Sequence, residues 1–494
     1  MNTSTRRILL AIAGVVLLVC LCAFGAGVFG TGYFLTNRSI PEPIQATVVV
    51  VATQPPESKP SRTPQEIQPI DPTSEATMVQ NTPSEPALED TSTPIGSELS
   101  PEIALQMDSI QEQVLALRGL PSSGPVDRAL LTKEQLRQHI IENFLEEYSE
   151  EEAQVDATVL AAFGLLEPGF KLHNFYLDLY SEQIAGYYDD ETEDMYVVQG
   201  EGFLGPERLT YAHEYTHALQ DQNYDIENGL GYSESSCEGE SERCAAIQSL
   251  LEGDASSLEL EWFTNHGTEQ DMRDIQEFYN NFQSPVYDSA PAFLREDFIF
   301  PYISGQAFVD YLKARDGWKA VDLAYQDLPE STEQILHPER YPGEKPITVD
   351  IPELSSALGT GWREIDRDSI GEWYTFLILA HGNHPQARLD STQAKEASDG
   401  WGGNTYAVYQ NEQTGEVAMV FATQWDSEED AAEFSSAFSE HTTARFGEPA
   451  ENQPDRISWQ DSNSYTELHV DGTKTFWLLG PNAEIVQALW ENLN

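Results

Sequence analysis

Residues 213–217 read His213-Glu214-Tyr215-Thr216-His217, and this pentapeptide constrains the chain more than any other stretch. On a helix, positions i and i+4 stand one above the other on one face. Two imidazoles can then meet a single metal ion, and Glu214 sits beside it, where a carboxylate can take a proton from water. The local sequence supplies the helix. Pro206 suits a first turn, Glu207 follows it, and Leu209, Ala212, Tyr215, Thr216 and Leu219 recur at helical spacing. A helix carrying two core or solvent-facing histidines is the plain alternative. If a metal is bound, two ligands from one helix do not complete its shell, so the fold must bring a third from elsewhere and leave a position open for water.

Leu250-Leu251-Glu252-Gly253-Asp254-Ala255 offers that third ligand, on a stretch that reads as helix through Trp262. Two imidazoles favour Zn²⁺ over Mg²⁺ or Ca²⁺, with one ion per chain.

At these residues the chain resembles the gluzincin metallopeptidases. His213, Glu214 and His217 match the first helix of that class, and His217-Ala218-Leu219-Gln220-Asp221 looks like its thermolysin continuation. Glu252-Gly253-x-Ala255 is similar to the N-E-G-x-A ligand helix of the membrane alanyl aminopeptidases. The resemblance implies His213, His217 and Glu252 as zinc ligands and Glu214 as general base. Thirty-four residues separate His217 from Glu252, more than in those families, and the excess falls in 222–244, which reads as an inserted loop. A longer loop costs little. Pro301-Tyr302-Ile303-Ser304-Gly305 is similar to the aminopeptidase segment P-Y-x-K-G, read here as leading into a helix, with Ser304 in place of its lysine. By that match Tyr302 stabilises the oxyanion; a core tyrosine at a helix start is the other reading. Asp221, one turn past His217, and Asp254, beside Glu252, are candidates to orient a ligand histidine. His337, before Pro338, is a weaker candidate for a transition-state donor.

The aminopeptidase segment G-x-M-E-N, which holds a free amino terminus, has no counterpart. Residues 183–198 read instead as two short strands around an acidic turn. An edge strand beside the metal helix suits an extended peptide, so endo- and exopeptidase action both stay open.

The formal charge is −57, from 83 acidic and 26 basic residues. A phosphate backbone would be repelled, which excludes nucleic acid as a partner, and an anionic membrane surface is equally disfavoured. The acidic run from Glu234 to Glu242 could hold Ca²⁺, although such loops usually bind only water. Cys237 lies inside that run and Cys244 two residues beyond it; the pair reads as a local disulfide, with a zinc site as the rival reading.

Residues 8–37 carry no charged side chain and follow Arg6 and Arg7. Ile8 to about Phe29 is long enough to span a bilayer, with the positive flank inside. A cleaved signal peptide is the alternative. Residues 1–38 are thus expected to be a cytoplasmic tip and transmembrane helix. Residues 39–100, rich in Pro, Ser and Thr, are expected to form a disordered stalk. Residues 101–350 follow as a mainly helical zincin domain with a small sheet, and 351–494 as an α+β sandwich with its helices on one face of an antiparallel sheet. The fold class is α+β. Expected helices lie near 101–118, 133–148, 155–166, 368–381, 427–440 and 482–492, and later strands near 404–410, 416–423, 455–460, 464–470 and 473–478.

Together these readings describe a single-pass cell-membrane protein with an extracytoplasmic zinc metallopeptidase acting on a peptide or protein substrate. Two rivals stand beside it. One is a non-catalytic metal-binding sensor or scaffold; the other is a zinc amidase acting on cell-wall peptides. Nothing in the sequence fixes an oligomeric state.

Overall fold

The computed structural model describes residues 99–139, 141, 148–190, 192–198, 202–233 and 235–493. The expected membrane span at 8–29 and nearly all of the stalk lie outside the described residues. Among those described, no helix is long and apolar enough to cross a membrane.

Helix α1 (Pro101–Arg118) starts where Ser100 accepts from the Ile103 amide and stops where Gly119 turns left-handed at φ +80°. Strand β1 (Asp127–Leu131) follows, then α2 (Lys133–His139), α3 (Glu150–Ala162) and α4 (Leu172–Gln183). Strands β2 (Gly186–Asp189) and β3 (Asp194–Val198) are the two strands expected around the acidic turn. They pair antiparallel, β1 joins β3 in parallel, and the order β1-β3-β2 leaves β2 at one edge.

Helix α5 (Gly205–Tyr224) carries the H-E-x-x-H residues. As the sequence indicates, Pro206 sits in its first turn, and the Glu207 carboxylate accepts from the Leu204 amide at 2.9 Å. Helix α6 (Ser241–His266) runs longer than expected and is buried on most sides. Then come α7 (Glu269–Asn281), α8 (Pro285–Asp288), α9 (Ala292–Asp316), α10 (Trp318–Ala324) and α11 (Thr332–Leu336). Helix α9 begins nine residues before Pro301, so Pro301 and Tyr302 lie inside a helix and not at its start. Helices α6 and α9 meet where Gly253 faces Gly305: a Cβ on Gly253 would lie 2.2 Å from the Gly305 carbonyl, and one on Gly305 2.0 Å from the Ser249 oxygen. Only two glycines allow that approach.

Helix α12 (Ser355–Leu358) and β4 (Trp362–Asp368) open the C-terminal part, followed by α13 (Gly371–His381), a short 3₁₀ turn and α14 (Ser391–Ser398). Next are β5 (Trp401–Asn411), β6 (Val417–Trp425), α15 (Glu428–Phe446), β7 (Glu451–Gln453), β8 (Arg456–Gln460), β9 (Tyr465–Asp471), β10 (Lys474–Gly480) and α16 (Ala483–Asn492). The seven strands form one antiparallel sheet in the order β4-β5-β6-β10-β9-β8-β7.

The expectation of helices on one face of this sheet is corrected. Tyr406, Val408, Phe421 and Trp477 join Phe434 of α15 and Leu377 of α13 in one core. The alternating residues Ala407, Tyr409, Val420 and Leu478 pack against Val486 and Leu489 of α16 and Leu358 of α12. Both faces are covered because β5 and β6 are apolar at successive positions, which only a doubly buried strand tolerates. The first of these cores also takes in Leu131, Leu179, Leu250 and Phe308, so apolar packing is continuous across residue 350.

Candidate metal centre

Helix α5 presents His213 and His217 one turn apart, with ring centroids 4.8 Å from each other. Helix α6 lies across them and brings in Glu252. Its Oε2 is 3.2 Å from His213 Nε2 and 3.4 Å from His217 Nε2. One donor atom from each residue falls within 4.8 Å of the other two. All three side chains are buried, His217 being the most exposed at 6 %.

Burial opposes the charged form of His213, but its hydrogen bonds to Glu252 and Glu259 outweigh that and push its pKa up to about 10. Glu252 is driven the other way. Burial would raise its pKa, yet the two imidazoles beside it hold it below the usual carboxylate range.

The arrangement passes a simple test for a metal. His217 Nε2 is buried with no hydrogen-bond partner among the described residues, although it points toward Glu252. A buried unpaired nitrogen is costly unless something occupies its lone pair. Two imidazoles and one carboxylate form a three-ligand set suited to Zn²⁺. The far ring nitrogens are also held: His213 Nδ1 lies 2.9 Å from Glu259 Oε2, and His217 Nδ1 lies 2.8 Å from Gln220 Oε1. Gln220 is fixed in turn, its side-chain amide Nε2 donating a hydrogen bond to the Leu251 carbonyl at 3.0 Å. Such partners set the tautomer, so Nε2 is free to bind.

Glu259 and Gln220 therefore hold the histidines, and the expectation for Asp221 and Asp254 is corrected. Asp221 accepts from the Tyr188 hydroxyl at 2.9 Å and from the Ile226 amide. Asp254 takes Arg118 in a two-pronged ion pair, at 2.8 and 2.9 Å, and the Tyr325 hydroxyl at 2.9 Å. Position along the helix explains both outcomes. Asp254 is two residues past Glu252 and faces about 200° away, toward α1, whereas Glu259 is seven residues past it and returns to the same face. That seven-residue spacing is the signal by which the sequence could have given Glu259.

Glu214 is 1 % exposed, and its Oε1 has no hydrogen-bond partner among the described residues. Burial outweighs the attraction of the two histidines and lifts its pKa to about 7. The Tyr188 backbone amide also bonds this carboxylate. Edge strand β2 thus touches the site directly. Gly186 makes the approach possible, since a Cβ there would stand 2.7 Å from Thr210 Cγ2 and 3.4 Å from Glu214 Cγ. Tyr302 also reaches the site, where its hydroxyl donates to Glu252 Oε1 at 3.2 Å. Cys237 and Cys244 are joined as a disulfide, which ties the loop before α6 to its first turn. His337 bonds Glu372, on α13, at 3.0 Å.

Residues 358–490 match the model of a domain of unknown function, DUF8575. That stretch holds all seven strands of the C-terminal sheet and none of the residues of the candidate centre. No curated protein and no solved structure matches the chain.

Proposed function

We propose that this chain is a zinc-dependent peptidase of the gluzincin kind, anchored in the cell membrane through residues 8–29, with its folded part outside the cytoplasm. The observation that carries the reading is the convergence of His213, His217 and Glu252 beside a buried carboxylate with a free oxygen. When bound, Zn²⁺ would polarise a carbonyl and lower the pKa of water. Glu214 accepts the proton of the attacking water at Oε1 and passes it to the leaving amine; a carboxyl with a pKa near 7 suits both transfers. Tyr302 holds Glu252 in this state, and its hydroxyl is the group available to the developing oxyanion. Strand β2 offers an edge for an extended peptide, with Glu214 at its side. The disulfide supports an oxidising compartment.

The depth of the centre favours one second reading, a purely structural metal site in a sensor or scaffold. A single assay separates the two. Purified protein is incubated with an unbiased peptide library, and wild type is compared with Glu214→Gln at equal zinc content. Cleavage by wild type alone supports the peptidase. Zinc without cleavage supports the structural site, and cleavage that survives in Glu214→Gln rules out the proposed base.

A further inference from the structure

A second group of ligand-type side chains lies apart from the candidate centre. His337 caps the C-terminal end of α11, Glu372 stands in the first turn of α13, and Asp399 caps α14, one residue short of β5. His337 Nε2 is 3.0 Å from Glu372 Oε1 and 3.9 Å from Asp399 Oδ1, and a donor atom from each residue lies within 4.8 Å of the others. Donors around one ion at about 2.0–2.2 Å in a tetrahedral shell are separated by roughly 3.3–3.6 Å. The two distances from His337 bracket that range.

Two further observations favour a cation at this group. Glu372 is 4 % exposed, and its Oε2 is buried without a hydrogen-bond partner among the described residues. A half-satisfied buried carboxylate is expensive unless a positive charge faces it. The surroundings do not supply enough. Arg340 is the neighbouring permanent cation, and it is already shared among Asp399, Glu333 at 2.7 Å and Glu344 at 3.6 Å. Asp426 groups with Glu333 and Glu344 on that same side. Five carboxylates therefore surround one guanidinium. Access is open as well, because the Asp399 side chain is 47 % exposed and that of His337 23 %.

We propose that His337, Glu372 and Asp399 bind a divalent transition-metal ion, Zn²⁺ foremost. The imidazole argues against Ca²⁺ and Mg²⁺, which take oxygen donors. The Arg340 guanidinium pairs with Asp399 and holds its carboxylate in place. The ion would clip three connections together, the turn after α11, the start of α13 and the entry to β5, and so join the helical part to the seven-stranded sheet. The role is structural, the tying of those three connections.

The test is metal counting on the purified full-length protein, equilibrated with Zn²⁺ and freed of loosely held ions. His337→Ala and Glu372→Gln should each release about one ion per chain relative to the wild type. Asp399→Asn, at a half-exposed position that tolerates change, should weaken retention of the same ion. Glu252→Ala should not release it, so the result stands whether or not the Glu252 site is loaded. Zn²⁺ should raise the melting temperature of the wild type more than that of Asp399→Asn, which keeps the proposal testable if either buried variant fails to fold. Unchanged zinc content and unchanged thermal response in Asp399→Asn would overturn it, as would protection by Ca²⁺ equal to that by Zn²⁺.

Discussion

Gly253→Ala tests the link between packing and the metal centre. The added methyl would lie 2.2 Å from the carbonyl carbon and oxygen of Gly305 and 2.8 Å from the Gln306 nitrogen. All three are backbone atoms, so no side-chain rotation relieves the clash. Ordinary contact begins near 3.4 Å, so α6 and α9 must part by about 1.2 Å. Overpacking of this kind costs about 1–3 kcal/mol. The cost does not stop at stability, because Gly253 adjoins Glu252 and Tyr302 lies one turn from Gly305. Parting the helices stretches the 3.2 Å hydrogen bond from Tyr302 to Glu252 and shifts Glu252, the proposed ligand, itself. Loss of such a supporting contact weakens metal binding about 10–100-fold. Thermal unfolding and a chelator competition would measure both effects, with Gly124→Ala as the control, since a Cβ at Gly124 meets nothing within 4 Å. If Gly253→Ala melts with the wild type and keeps its zinc affinity, the close approach of α6 and α9 does not place Glu252 and the reasoning fails.

Glu259→Gln should lower zinc affinity about 10–100-fold while leaving the fold intact, since it weakens only the bond that orients His213; unchanged affinity would remove Glu259 from the site. Replacing Cys237 and Cys244 with Ser opens a loop of seven-residue separation and should cost about 2–3 kcal/mol in denaturant unfolding, and no loss would show the loop to be held by other contacts. Burial lifts the pKa of Asp366 to about 8, against the opposing hydroxyl bond from Tyr406. The folded state therefore holds a proton that the unfolded chain has lost above about pH 4, so this contribution to stability is complete below that pH and disappears as pH rises toward 8. Chelator-treated protein should melt lower at pH 8 than at pH 5, and Asp366→Asn should flatten the slope; an identical slope in the variant would contradict the assignment.

The parts of the centre that follow local rules were legible in the sequence. Helical spacing sets His213 and His217 on one face, Pro206 and Glu207 mark where their helix begins, and two cysteines around a polar loop close on each other. What escaped depends on partners distant in sequence. Strand β1, Asp127-Arg-Ala-Leu-Leu131, lacks alternation and exists because β3 lies parallel beside it. Charged β4, Trp362-Arg-Glu-Ile-Asp-Arg-Asp368, is a strand because β5 pairs with it. The burial of Asp254 follows from Arg118, which arrives from another helix. Gly253 and Gly305 carry no sequence sign of facing each other, and their contact is set by how α6 and α9 cross.

In the proposed function, one ion sits between two histidines of α5 and one glutamate of α6. Anomalous X-ray scattering at the zinc edge, on crystals of the zinc-loaded protein, tests it most directly. The expected result is a peak bounded by His213 Nε2, His217 Nε2 and Glu252, with Glu214 beside it. Zinc-loaded crystals with no peak at that triad would contradict it.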